Sequence, residues 1–430
     1  MRTLRSEMDN NRLGLYRTVK SKPRFWAWTV AFMVTVFYVA NVYDRALSGQ
    51  LYYLKWASLM PVIAISCYII QSKKYGSTPR LNAWPLMLIS LSAFASVFVA
   101  ADMLASSVVL ISIVLAFTTA FLIASVILKT GSLNLFMDAI SLVGRGVIFS
   151  SAVFYALGLN LGRSSEFRFS GWTDNPNTLA LLLAPTIVIL LAQVIERRRG
   201  WLFWSFPFLL AGMFLLIQTG SRSGILWIIA SLGGFYAFRQ GIGISLIAAF
   251  FVLLISVPYW DVAIDFALSL VQRKGLQATT DNLSGRSEVW ELGLELFRER
   301  PAFGYGTGTS QDLISNYEWM FVEHQGGHFH SSFMTVAVEM GSFGLLAVLI
   351  MIAITAIAAM KLSSRMRSSR DPEWAFQALP LALFVGALAH GLFETTLMSA
   401  GNANMILIWI CMLLIQGSVS MKSQMQSPAR

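Results

Sequence analysis

Residues 25–43 read FWAWTVAFMVTVFYVANVY, nineteen positions without a single charge. About 20 consecutive apolar residues cross the hydrocarbon core of a bilayer as a helix. The run follows a 24-residue start that carries seven Lys/Arg, a pattern that secretory signals share. However, it is longer than the 7–15-residue core of a signal peptide, and no small-residue cleavage site follows it. It reads as an uncleaved first transmembrane helix, and similar runs recur along the chain.

Composition agrees. Of the 430 residues 56% are hydrophobic and only 13% charged, against about 25% charged in soluble domains. Twelve runs qualify as spans, near 25–43, 51–71, 82–100, 104–128, 138–159, 178–195, 201–218, 223–238, 241–259, 338–360, 376–396 and 403–419. Backbone groups in lipid must be satisfied within their own segment, so these runs are expected to be helices. The two cysteines, Cys67 and Cys411, both fall inside apolar runs. They suggest neither a disulfide framework nor a cysteine metal site.

With residues 1–24 on the cytoplasmic side, most of the 32 Lys/Arg fall on the cytoplasmic segments, as the positive-inside rule expects. An even number of spans, with both termini cytoplasmic and a tail at 420–430, is self-consistent. The net charge of +10 is then an orientation signal, and no nucleic acid partner is implied. The expected layout is nine spans over 25–259, a long outer-face connection at 260–337, and three spans over 338–419. Connections longer than about 12–15 residues are usually functional or disordered. In this one SEVWELGLELFRER (287–300) has apolar residues at helical spacing, predicting an amphipathic helix at the outer membrane surface.

Three stretches at that boundary carry chemistry. QTGSRSG (218–224) puts Arg222 where the seventh span ends and the eighth begins, and LSGRSEVW (283–290) puts Arg286 at the start of the amphipathic helix. A guanidinium fork matches phosphate oxygens, and an adjoining helix N-terminus adds oriented N–H donors. A snorkelling arginine at a helix end is the plain alternative. GGHFHSS (326–332) holds His328 and His330, with His324 four residues before His328. A metal site would need all three histidines, but their loop offers no strong further ligand and Glu323 is a poor fourth, so no metal is expected. A hydrated loop stays open, as does a single histidine acting as general base on a sugar hydroxyl. Ser331 or Ser332 can cap the helix that follows. PAFGYGTG (301–308) lacks a preceding strand, so a nucleotide loop is rejected; Pro301 should end the amphipathic helix and the glycines should turn the chain back.

In order and spacing these blocks resemble the bacterial O-antigen ligase/polymerase superfamily. HSSFMTVAVEMGSFG (330–344) follows the ligase pattern of His, then Asn/Ser/Gln, nine residues, Gly, two residues and a small residue, through His330, Ser331, Gly341 and Gly344. GSRSG and GRSEVWELGLELFRERPAFGYGTG resemble two further blocks, and NPN (175–177) looks familial. The resemblance implies an all-α, GT-C-like protein of the bacterial inner membrane with about 12 spans and a large structured periplasmic loop between spans 9 and 10. It implies metal-independent, inverting glycosyl transfer without a cofactor. The donor is a glycan on undecaprenyl diphosphate, and the acceptor is a lipid A–core sugar or, in polymerases, another lipid-linked repeat unit. Carried over, Arg222 and Arg286 hold the diphosphate and His330 activates the acceptor hydroxyl. His328, Ser331, Asn177 and Glu339 are possible accessory residues. A rival of another class is a twelve-span transporter, whose candidate charges are Lys55, Arg145, Glu339, His390 and Glu394; no internal repeat supports it.

Overall fold

The computed structural model describes residues 23–40, 53–75, 81–162, 168–196, 201–240, 286–321, 327–366, 374–399 and 401–426. The expected ninth span at 241–259, residues 260–285 and His324 lie outside the described residues, as do residues 1–22 and 427–430.

The described chain is helical, without strands. The helices are α1 (Arg24–Val39), α2 (Leu59–Gln71), α3 (Trp84–Val97), α4 (Met103–Thr130), α5 (Leu133–Ala156), α6 (Pro176–Ile195), α7 (Trp201–Thr219) and α8 (Arg222–Gln240). There follow α9 (Arg286–Glu299), the short α10 (Ser310–Asn316), α11 (Ser332–Met366), α12 (Trp374–Gly391) and α13 (Ala403–Gln426). Among the described residues, six stretches are long and apolar enough to cross a membrane: Tyr53–Gln71, Met103–Thr130, Leu133–Ala156, Pro176–Ile195, Ser332–Ser364 and Trp374–Gly391. Four shorter apolar helices, Arg24–Val39, Trp84–Val97, Trp204–Thr219 and Ala403–Val419, accompany them.

Helices α6, α12 and α13 fill the centre, buried along most of their length. The peripheral helices turn large apolar side chains outward, Phe25 and Trp28 on α1 and Leu104 on α4 among them. Lipid leaves little hydrophobic drive between helices, so close packing must come from small residues. The α8–α12 pair shows this: Gly234 lies against the Ala382 backbone and Gly386 against the Trp227 ring.

The two ends of the bundle are distinct. At one, Glu196 at the end of α6 accepts from the Phe376 N–H at the start of α12 (2.8 Å). There Ser363 of α11 also donates to the Ala237 and Phe238 carbonyls of α8. At the other end α6, α8 and α11 begin and α7 and α12 finish, and this end carries the polar site.

Helix α9 differs from the expectation of a helix resting on a lipid surface. Its apolar face, Val289, Leu292 and Leu296, packs in a small separate core with Ile314, Phe329 and Val338. The chain's own side chains occupy that face, so α9 is seated on α11.

Helix α11 is broken at Gly341, whose φ of 66° and ψ of −162° are non-helical. The break frees backbone groups, and residues 301–306 take them up. Tyr305 and Gly306 N–H donate to the Val338 and Glu339 carbonyls (both 2.9 Å), and Ser342 N–H donates to the Pro301 carbonyl (2.7 Å). A Cβ at Gly341 would lie 2.1 Å from the Ala302 oxygen, and one at Gly304 2.3 Å from the Val338 oxygen. The glycine-rich run therefore does more than reverse the chain: it docks backbone to backbone into the break, where no side chain fits.

Candidate active site

The local sequence explains each side chain's position. Asn175 caps α6, its side chain accepting from Thr178 N–H (2.9 Å), and Pro176 occupies the first helical turn, where its missing N–H costs nothing. NPN thereby leaves Asn177 at the tip of the helix. Gly220, at φ 59°, turns the chain between α7 and α8 and leaves Arg222 exposed as the first residue of α8. Arg286 likewise opens α9. Ser331 precedes α11 and its Oγ accepts from Met334 N–H (3.4 Å).

The tips of α6 and α9 and the residues leading into α11 meet at one carboxylate. Glu394, in the turn after α12, accepts from Arg286 Nη2 at Oε1 (2.8 Å) and pairs with His330 Nδ1 through Oε2 (3.2 Å). Asn177 Nδ2 reaches Oε1 at 3.4 Å. Ser332 Oγ donates to the Glu394 carbonyl (2.8 Å) and accepts from Leu397 N–H (3.1 Å), fixing the turn itself. Trp290 of α9 donates to the Phe329 carbonyl (2.7 Å), holding the residue before His330.

The electrostatics follow from this crowding. Burial pushes the Glu394 carboxyl up; the hydrogen bond and charge of His330, with the charges of Arg286 and His390, outweigh burial and hold it below the usual carboxylate value. An ionised Glu394 favours the His330 tautomer with its proton on Nδ1, which places the basic lone pair on Nε2. His330 has φ 46°, the one positive φ outside glycine among the described residues. Such strain, of order 1–3 kcal/mol, persists only where the surroundings impose it, and it clusters at functional sites.

Arg222 stands at the same end. Two residues on, a Cβ at Gly224 would touch Ala180 of α6, and Trp227 packs against the His390 ring at 5.1 Å between centroids. His328 is exposed. Glu339 points elsewhere: it accepts from Gly308 N–H (2.8 Å), Ser310 N–H (3.2 Å) and Ser310 Oγ (2.5 Å). Its role in this structure is to hold the loop docked on α11, so it and Glu394 have separate partners. Of the remaining charges weighed for transport, Lys55 donates to the Gly401 carbonyl (3.4 Å), and Arg145 donates to Gln193 (2.7 Å) and Ser205 (2.9 Å). His390 pairs with Thr396 (2.6 Å). Among the described residues, no three His, Cys, Asp or Glu converge as a metal ligand set.

Sequence reasoning named Glu394 only among the charges of the transporter alternative, not as the partner of Arg286 and His330. Glu394 was legible only as a charge near the end of an apolar run. Charges at a membrane boundary are generally paired, so asking what neutralises Arg286 at that boundary is the question that finds it.

The fold and site define an all-helical membrane protein with a histidine–carboxylate–arginine cluster at one end of its bundle. Residues 206–349 match the family model described as O-Antigen ligase. The match runs from α7 into α11, includes Arg222, Arg286 and His330, and supports the resemblance to the O-antigen ligase superfamily over that segment. Asn177 and Glu394 lie outside the matched segment. No curated protein matches the chain.

Proposed function

We propose that the protein transfers a glycan from undecaprenyl diphosphate to a lipid A–core or other surface acceptor, at the periplasmic face of the bacterial inner membrane, with both termini cytoplasmic. The observation that carries this reading is the pairing of His330 and Arg286 on the Glu394 carboxylate. It supplies an oriented base next to an anion-binding group, in the segment of superfamily resemblance.

In the proposed step the acceptor hydroxyl oxygen attacks the anomeric carbon from the face opposite the diphosphate. The new C–O bond forms as the bond to the phosphate oxygen breaks, and the diphosphate leaves with that electron pair. The hydroxyl proton passes to His330 Nε2, with Glu394 stabilising the imidazolium through Nδ1–H, in the manner of a carboxylate behind a catalytic histidine. Arg286 gives one N–H to Glu394 and a guanidinium carries five, so it can also meet phosphate oxygens. Together with Arg222 it stabilises the charge that develops on the leaving group without a metal ion. A base placed in this way contributes on the order of 10²–10⁴-fold.

The test is deletion of the gene followed by examination of surface glycans. Ligase loss strands long glycan on its lipid carrier and leaves bare core. Accumulated single repeat units would instead assign the protein to the polymerases of the same superfamily, and unchanged surface glycans would sink the transfer reading.

A further inference from the structure

Arg168 has no part in the transfer step, yet its guanidinium joins two halves of the site. Its Nε donates to the Thr219 carbonyl (2.8 Å), one of the last in α7, and its Nη2 donates to Asn177 Oδ1 (2.8 Å). The backbone beside it is pinned as well. Phe169 N–H donates to the Gln218 carbonyl (3.0 Å), and Asn160 Nδ2 donates to the Arg168 carbonyl (2.9 Å). Gly220, the turn residue before Ser221 and Arg222, lies against the same guanidinium, 3.4 Å from its Nε as measured from an added Cβ.

We propose that Arg168 is a positioning residue that locks the turn carrying Arg222 to the carboxylate holding Arg286 and His330. The argument turns on the Asn177 amide. Because Arg168 occupies Oδ1, the amide presents Nδ2 to Glu394, as its 3.4 Å contact shows. Flipped, it would set oxygen against the carboxylate and NH₂ against the guanidinium, so Arg168 decides which atom Glu394 meets. The chain Thr219–Arg168–Asn177–Glu394 ends on Arg286 and His330 and crosses segments separated by up to 217 residues, as between Asn177 and Glu394. The planar fork matters, since a lysine is a point charge on a flexible stem and cannot serve both acceptors in fixed geometry.

This inference rests on the glycan-transfer reading, and the experiment separates the two. The purified full chain in lipid nanodiscs is assayed with a polyprenyl-diphosphate glycan donor, comparing Arg168→Gln, Arg168→Lys, Asn177→Ala and the Arg168→Gln/Asn177→Ala pair. The expected result is a kcat about 10–100-fold lower, as for a catalytic group displaced by about an ångström, with donor KM within about threefold. Arg168→Lys should recover only part of the loss. The double variant should be no worse than its worse single, because both act along one chain of contacts. A donor KM raised about tenfold or more at unchanged kcat would mean that Arg168 grips the donor itself, and would overturn the proposal. Multiplying losses in the double variant, or wild-type rates in Arg168→Gln, would overturn it too. Should Arg168→Gln fail to insert, Asn177→Ala, which leaves the Arg168–Thr219 bond in place, carries the test with the same kcat-only loss expected. No transfer by the unaltered protein sinks the transfer reading; normal transfer with indifferent Arg168 variants sinks only this inference.

Discussion

Replacing Glu394 with glutamine removes the charge at the centre of the cluster while keeping its volume. The carboxylate accepts from Arg286 at 2.8 Å and pairs with His330 at 3.2 Å, and the side chains involved are 16–23% exposed. Breaking a fully buried ion pair costs about 3–5 kcal/mol, whereas an exposed one is worth about 0.2–1 kcal/mol. Partial exposure places this pair between them, at about 2–3 kcal/mol. A glutamine offers one acceptor and one NH₂, so either Arg286 or His330 meets a donor instead of an acceptor. If the loss falls on the transition state, about 1.4 kcal/mol per decade converts it to a fall in kcat of roughly 30–150-fold. The assay is steady-state transfer by purified variants present at equal abundance in the membrane. Glu394→Asp, which keeps the charge on a shorter stem, should retain more activity than Glu394→Gln. A Glu394→Gln rate within about threefold of wild type would refute the claim that the carboxylate orients the base.

His330→Ala should abolish transfer while leaving membrane abundance unchanged, as read by immunoblot beside the glycan assay; retained activity would remove the general base. Arg222→Lys keeps the charge but loses the fork, and should impair transfer more than insertion, measured in the same way. Gly341→Ala puts a methyl group 2.1 Å from the Ala302 oxygen at a backbone φ of 66°. It should lower the detergent-phase melting temperature, with a strain cost of at least about 1–3 kcal/mol. The pH dependence follows from Glu394, whose folded carboxyl lies below its ordinary value of 4.5. The unfolded state then binds more protons around that pH, so this stabilisation is complete above the ordinary value and is lost as pH falls through the depressed one. Melting temperature should fall on acidification below about 4.5, and Glu394→Gln should flatten that acid limb.

How much of this was legible depended on range. Apolar runs report themselves locally, so helices appear at 24–39, 84–97 and 403–426 close to where the runs lie. The turn chemistry was local too: Pro301 lies just past α9, and Ser331 precedes α11 with its hydroxyl on Met334 N–H. Arg222, Arg286 and His330 could be marked because each sits at a helix tip in a recognisable block. What could not be read was pairing across the bundle. Nothing near residue 394 announces that its carboxylate reaches Arg286, 108 residues away, and nothing in PAFGYGTG announces a break in a helix some 40 residues later. Glu339 illustrates the same limit: its place beside the His330 block suggested a site role, while three donors from the 308–310 loop take up its oxygens.

The break at Gly341 also bears on how the site is held. It divides α11 into a short segment, 332–340, and a longer apolar one, so His330 is not rigidly tied to the length of the bundle. The short segment is gripped instead by its surroundings: residues 301–306 bond to the carbonyls at its end, α9 packs on its side, and Ser332 holds the Glu394 turn. Sites built on helices are more precise than sites on loops, provided neighbouring contacts fix each helix. Here the histidine lies two residues before a helix, in a strained conformation, held by the Glu394 turn after α12 and by the α9 contact to its neighbour Phe329. For the proposed glycan transfer, this bracing provides a physical route to fixing the base at the end of the bundle.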